Sequence, residues 1–246
     1  QTGNLSLNAA SLTKAGSIDA VISFDFISRA IAGTGLSDAN LTGGTVNVFG
    51  AAYEYARPTV APALSLGNVR AGSSLTRTLA VTNTTVTNAT YQDDLRVTAT
   101  STNATLGLAN PAAIAAGTSG NVVLTPGAAT AGSLDSTLTL AFVSDARGIS
   151  GLSDLTLASS TVAVTGAAYD LAQPAYSDAA LAFGNVRKGG ALAARNVAFA
   201  NTVKTSAAYQ DSLGVLATSS SARVALTNPA LIAASGSANL VVTPST

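Results

Sequence analysis

The chain repeats itself at a spacing of about 117 residues, the size of a small domain. Gly35-Leu36-Ser37-Asp38 returns as Gly151-Leu152-Ser153-Asp154, and Gly67-Asn68-Val69-Arg70 returns as Gly184-Asn185-Val186-Arg187. Tyr91-Gln92-Asp93 returns as Tyr209-Gln210-Asp211, Ala51-Ala52-Tyr53 as Ala167-Ala168-Tyr169, and Asn110-Pro111-Ala112 as Asn228-Pro229-Ala230. A repeat of this length calls for tandem copies of one folded unit, because the units of a short-period solenoid are only about 20–45 residues long.

Within each copy the apolar residues alternate. In Ser136-Thr137-Leu138-Thr139-Leu140-Ala141-Phe142, one face carries Leu138, Leu140 and Phe142 and the other carries threonines and a small residue. The counterpart Ala20-Val21-Ile22-Ser23-Phe24-Asp25-Phe26 sets Ile22, Phe24 and Phe26 on one face in the same way. A period of two marks strands with one buried and one solvated face. Turn-forming stretches such as Ala71-Gly72-Ser73-Ser74, Asn110-Pro111 and Pro126-Gly127 separate them. The pattern predicts strands over 63–69, 75–83, 91–100, 106–108, 121–125, 134–144 and 161–168. Residues 112–116 allow one short turn at most. The expectation is an all-β chain of tandem immunoglobulin-like antiparallel β-sandwiches, with Pro-containing linkers over 55–62 and 171–177.

The phase of the repeats matters as much as their number. Residues 1–57 match the C-terminal half of a repeat, 58–174 a complete one, and 175–246 the N-terminal half of the next. Gly3-Asn4-Leu5-Ser6-Leu7 also aligns with Ala238-Asn239-Leu240-Val241-Val242. Neither half closes a core alone, and each leaves an apolar face and open strand edges. Three arrangements remain open: a window cut from a longer array, a subunit that polymerises head to tail, or two halves meeting within one chain around an inserted 58–174 domain. For assembly by strand complementation, the candidate residues are Ile22, Phe24, Phe26, Val46 and Val48.

Composition narrows the chemistry. Charged residues are 10%, against about 25% in ordinary soluble proteins, and twelve basic side chains balance twelve acidic ones. Such a chain carries no basic footprint for nucleic acid. Cys, His, Met and Trp are absent, which removes thiolate nucleophiles, disulfides, imidazole bases and the usual zinc ligands. The missing Met places the start codon outside this window, so Gln1 is a processed terminus or a cut. No apolar run reaches the length of a membrane-spanning helix, and the segment is expected not to insert in a membrane. The Thr/Ser/Asn/Gly-rich, Cys-free make-up suits an extracellular or cell-surface bacterial protein.

The stretches Ala63-Leu64-Ser65-Leu66-Gly67-Asn68-Val69-Arg70-Ala71-Gly72 and Leu181-Ala182-Phe183-Gly184-Asn185-Val186-Arg187-Lys188-Gly189-Gly190 resemble the opening of choice-of-anchor D domains. These domains are related to the ASPM/SPD-2/Hydin immunoglobulin-like class. Arg77-Thr78-Leu79-Ala80-Val81-Thr82-Asn83 is similar to that family's second strand, and Val123-Leu124-Thr125-Pro126 with Ala131-Gly132-Ser133 to its later strands. The resemblance covers both repeats, most specifically in the first eighty residues of each. It implies a tandem β-sandwich on a secreted or surface-anchored bacterial protein, without an active site.

Candidate sites are few. Asp93-Asp94 is the one acidic pair, but its counterpart is Asp211-Ser212, so a turn beside a buried Tyr91 is expected in place of a cation site. Asp145, Arg147 and Asp154 flank a Gly-containing loop and are expected to be solvated. Arg70 and Arg187 follow strands and could anchor a partner, although a surface Arg lying along apolar neighbours is commoner. Gly33-Thr34-Gly35-Leu36-Ser37 lacks a helix-opening phosphate motif. The sequons at Asn4, Asn40, Asn83, Asn88 and Asn103 are read as products of Asn/Thr richness. A serine triad lacks its base, and Lys14, Lys188 and Lys204 sit in polar loops. No metal, cofactor or enzymatic activity is expected. The expected function is a structural module of an extracellular bacterial stalk, fibre or matrix protein, whose partners are neighbouring repeats or other copies head to tail. The alternative is an adhesin module that holds carbohydrate or a cell-surface ligand in its inter-strand loops, with Tyr55 and Tyr176 as its exposed aromatics.

Overall fold

A computed structural model describes residues 12–128, 130–146, 148–177 and 180–244. The described chain is mostly strand and forms several antiparallel sheets. The strands are β1 (Gly16–Ser17), β2 (Ala20–Ser28), β3 (Ala39–Val48), β4 (Ala51–Ala52), β5 (Pro58–Val60), β6 (Ala63–Arg70), β7 (Arg77–Asn83), β8 (Asp94–Ser101) and β9 (Leu106–Ala109). They continue as β10 (Ser119–Pro126), β11 (Gly132–Ser133), β12 (Ser136–Asp145), β13 (Leu155–Tyr169), β14 (Pro174–Tyr176), β15 (Arg195–Asn201), β16 (Val224–Thr227) and β17 (Ser237–Pro244). Two 3-10 turns, Ala89–Tyr91 and Ala207–Tyr209, complete the set.

Between β5 and β13 the alternation does what the period of two requires. One sheet has the order β5-β7-β10-β9 and the other the order β11-β13-β12-β8, with β6 added parallel to β13. Their apolar faces share one core. Leu79, Val81, Val122 and Leu124 come from the first sheet, and Leu95, Val97, Leu138, Leu140, Phe142, Val162 and Val164 from the second. β6 contributes Leu66 at a backbone irregularity. Gly67 there has φ +75°, open to glycine at little cost, and a Cβ on the facing Gly166 would lie 2.9 Å from the Gly67 carbonyl oxygen.

The sequence boundaries shift in places. The two Pro-containing linkers each hold a short edge strand, β5 and β14, whose first residue is the proline. Proline cannot donate to a ladder, so the first position of an edge strand suits it. The strand predicted over 161–168 begins earlier, at Leu155, and the one predicted over 91–100 is preceded by a 3-10 turn that Asn88 caps through Thr90 N. The core also reaches back beyond residue 58. Ala56 is buried, and its N–H donates to Ser144 Oγ at 2.7 Å.

The flanking sheets reproduce parts of this arrangement. β14-β15-β17-β16 has the strand order of β5-β7-β10-β9. β2 pairs with β3 as β12 pairs with β13, and each pair carries an irregularity at the same place, between Phe24 and Phe26 and between Leu140 and Phe142. β1 pairs Gly16 with Ala52, as β11 pairs Gly132 with Ala168. The segments 180–187 and 212–219, counterparts of β6 and β8, are not strands. Their ladder partners β13 and β12 have no counterpart after residue 177 among the described residues. The alignment of residues 3–7 with 238–242 falls outside the described residues.

Candidate functional site

Two features of the described chain draw attention: a tyrosine-centred joint that occurs twice, and the apolar β2–β3 pair that carries the assembly candidates.

Each joint begins with a tyrosine. Tyr53 packs on Tyr91 with ring centroids 5.6 Å apart, and Tyr169 packs on Tyr209 at 5.8 Å. The next residue then pairs in parallel with the one after the second tyrosine, Glu54 with Gln92 and Asp170 with Gln210. Glu54 N–H donates to Tyr91 O and Asp93 N–H to Glu54 O, both at 2.9 Å. Asp170 N–H donates to Tyr209 O at 2.9 Å and Asp211 N–H to Asp170 O at 3.0 Å.

Under each joint lies a buried amide pair that the sequence reading missed. Asn83 Nδ2 donates to the carbonyls of Asp93 (3.0 Å) and Ile114 (3.1 Å), and Asn83 Oδ1 accepts from Arg57 N–H (2.9 Å) and Gln92 Nε2 (3.0 Å). Gln92 Nε2 also donates to Thr84 O, and Gln92 Oε1 accepts from Val86 N–H, both at 2.9 Å. Asn201 and Gln210 repeat the pattern with Asp211 O, Ile232 O, Gln173 N–H, Thr202 O and Lys204 N–H. Every donor and acceptor of each asparagine amide is used, which is what makes such a buried group tolerable. The available signal was the recurrence of Asn and Tyr-Gln-Asp at one common offset.

The charged candidates are less solvated than expected. Asp93 is buried and its Oδ2 accepts from Ser144 Oγ at 2.9 Å, while Tyr91 is only half-buried. Asp93 Oδ1 is buried without a hydrogen-bond partner. Arg96 bridges Asp145 (3.1 Å) and Asp154 (2.6 Å), a partly buried cluster where a solvated loop was expected. Arg147 lies outside the described residues. Desolvation, then the charges of Asp145 and Asp93, push the Asp94 carboxyl above the ordinary aspartate range. Lys204 reaches the buried Asp170 at 3.2 Å. The Thr205 hydroxyl and the Lys204 ammonium hold the Asp170 carboxyl below its ordinary range against the effect of burial. Arg70 donates to Asp211, and with Asn68, Val69 and Tyr169 the pair lines a shallow cleft at the second joint. Arg187, Lys14 and Lys188 are exposed. Of the sequon residues, Asn83 is buried, Asn88 is a turn cap and Asn4 lies outside the described residues. Among the described residues no three Asp or Glu side chains gather as a metal site, and no helix is long and apolar enough to cross a membrane.

The five assembly candidates lie on β2 and β3. Ile22, Phe24 and Val48 are half-buried, while Phe26 and Val46 are 51% and 48% exposed. Their counterparts Leu138, Leu140, Phe142, Val162 and Val164 all lie in the central core. Among the described residues β2 and β3 form a two-stranded sheet, whereas β12 and β13 pack on the β5-β7-β10-β9 sheet. Tyr55 and Tyr176 are both exposed and each lines an open cleft, the first shared with Tyr53 and Glu54 and the second with Ala198 and Phe199. No protein-family model matches the chain, and no curated protein matches it.

Proposed function

We propose that this chain is a structural module of an extracellular bacterial stalk, fibre or matrix protein, built from tandem immunoglobulin-like β-sandwich repeats of the choice-of-anchor D type. The observation that carries the reading is the joint built twice. The same tyrosine pair, parallel bridge and buried Asn–Gln node recur at both ends of the central segment. A linker pinned by backbone hydrogen bonds and a satisfied amide node fixes the direction of the next unit, which is what a load-bearing rod needs and a flexible tether does not. The role is mechanical and involves no reaction: repeats supply reach, and shared cores supply resistance to unfolding.

Antibody labelling of intact cells of the source bacterium tests the reading. Label along filaments or matrix, lost when the gene is deleted and accompanied by thinner or absent fibres, is the expected result. Label confined to the cell interior would overturn it. A glycan array probed with the purified chain addresses adhesion through the exposed Tyr55 and Tyr176. Saturable binding abolished by Tyr55→Ala and Tyr176→Ala would move the assignment to an adhesin.

A further inference from the structure

Resting on the mechanical role above, and going further to say where a pull is resisted, we propose that the parallel β6–β13 ladder is the force-carrying clamp of the central unit. Tension along the chain must shear this ladder before the core can open.

The path of the chain sets the direction of the pull. The chain enters the unit at the first joint, where Glu54 bridges Gln92 beside the Asp94–Asp145 end of the second sheet. Leu155, at the start of β13, faces Ser144 at that same end. The chain leaves at Tyr169, at the far end of β13, where Asp170 bridges Gln210. At about 3.3 Å per residue, the fourteen steps from Leu155 to Tyr169 separate entry from exit by roughly 45 Å. β5 and then β6 are fed from the entry, and β13 feeds the exit. β6 and β13 run side by side in one direction, from Ala63 beside Ala163 to Arg70 beside Tyr169. Tension therefore drags β6 back toward the first joint and β13 on toward the second. The two strands slide along each other, and the evenly spaced bonds of a parallel ladder share that load. A slip of one residue, about 3.3 Å, breaks them together.

The ladder is fastened at both ends and underneath. At its start Ala163 N–H donates to Pro62 O at 2.9 Å, and at its end Ala71 N–H donates to Tyr169 O at 2.8 Å. Leu66 is buried in the core, with Leu64 and Val69 packed against it, so β6 cannot slide without moving all three. The irregularity between Thr165 and Gly166 pins the register. Slipping by one residue would bring Thr165 or Ala167 to the place where Gly166 faces the Gly67 carbonyl, and there a Cβ has no room. β5 is held by three paired residues against seven for β6, so β5 should yield first and β6 should set the main barrier.

Single-molecule pulling tests the clamp, because the chain has no cysteine and attachment points can be placed at will. Full-length Tyr55→Cys, Leu171→Cys chains are pulled in the natural direction, since both residues are exposed and flank the unit. Full-length Ser74→Cys, Leu171→Cys chains are pulled from two points beside one end of the ladder, which loads the Arg70–Tyr169 pair first and opens the bonds in turn. In the natural direction, the expected trace has a short step of roughly 25 Å as residues 56–62 come free, then one rupture that releases residues 63–169, roughly 350 Å at about 3.3–3.6 Å per residue. The second direction should open at a clearly lower force and without the short step. Forced unfolding reports the barrier and not the equilibrium stability. Gly166→Ala, which crowds the Gly67 carbonyl, should therefore lower the natural-direction rupture force. Val122→Ala, a core loss in the facing sheet, should lower the melting temperature and leave that force nearly unchanged. Equal rupture forces in the two directions would overturn the proposal even if Gly166→Ala fails to fold, as would a force that simply follows the melting temperature in both variants. Labelled fibres made of chains that open equally in both directions would sink the clamp alone. A directional clamp in a protein confined to the cell interior would sink the structural role alone.

Discussion

Asn83 shows how much one polar side chain can hold. Its amide joins the end of β7, the 3-10 turn, residue 114 and the incoming linker at Arg57. Asn83→Ala takes the partner from the Asp93 carbonyl, the Arg57 N–H and one Gln92 Nε2–H in a buried site, while the Ile114 carbonyl keeps Leu95 N–H. Each unsatisfied buried group costs about 1–3 kcal/mol, so a loss of about 3 kcal/mol or more is expected in the denaturant midpoint of the central transition. Asn83→Asp should be no rescue, since it removes the Nδ2 donor and adds a buried charge. Asp94 makes the opposite prediction. Its carboxyl titrates above the ordinary aspartate range in the folded state because it is desolvated and faces Asp145 and Asp93. The folded chain therefore holds its proton more tightly than the unfolded chain, and stability falls as pH rises from the ordinary aspartate value of about 4 through the raised one. Asp94→Asn should stabilise at pH 7 by about 0.5 kcal/mol, kept small by solvent screening. The gain should vanish well below pH 4, at about pH 3 and under, where aspartate is protonated in both states. Melting curves of the variant and parent across that range check both sign and window.

At the scale of the strand, β6 depends on a close approach. Gly166 sits against the Gly67 carbonyl, and a Cβ there would lie 2.9 Å from it. Gly166→Val should push β6 off β13 and uncover Leu66, at a cost of about 1–3 kcal/mol. Hydrogen exchange should quicken in 63–70 while β12 stays protected. Much of this layer was legible in the sequence, because 136–145 alternates cleanly and buries Leu138, Leu140 and Phe142 as the alternation requires. The first part of β13 was not, since Leu155-Thr156-Leu157-Ala158-Ser159-Ser160 is mostly exposed and gives little apolar contrast. β5 and β14 were hidden by their prolines. Segment 212–219 carries the apolar alternation of β8, with Leu213, Val215 and Ala217, yet it is not a strand. Periodicity reports a readiness to pair, and pairing needs the neighbour as well. The Asn83–Gln92 node was invisible for a different reason: its partners converge only after the chain has folded.

At the scale of the whole molecule, the described residues hold one unit with two facing sheets around a shared core, and that unit should behave as an independent body in solution. The closed unit has its own core, and its natural limits include Ala56 and the Glu54 bridge, so residues 53–174 are the piece to express alone. That piece should be a monomer and should unfold in a single cooperative transition with strand-type circular dichroism. Ala56 and the Glu54 bridge lie outside the repeat boundary at residue 58, so a piece that starts at 58 loses the Ala56 N–H bond to Ser144 Oγ and both backbone bonds of Glu54 and should melt below the 53–174 piece. Mass measurements from nanomolar to tens of micromolar should show one copy of the 53–174 piece throughout, and a mass that grows with concentration, or a melting curve without a single cooperative transition, would show that its core needs a neighbour to close.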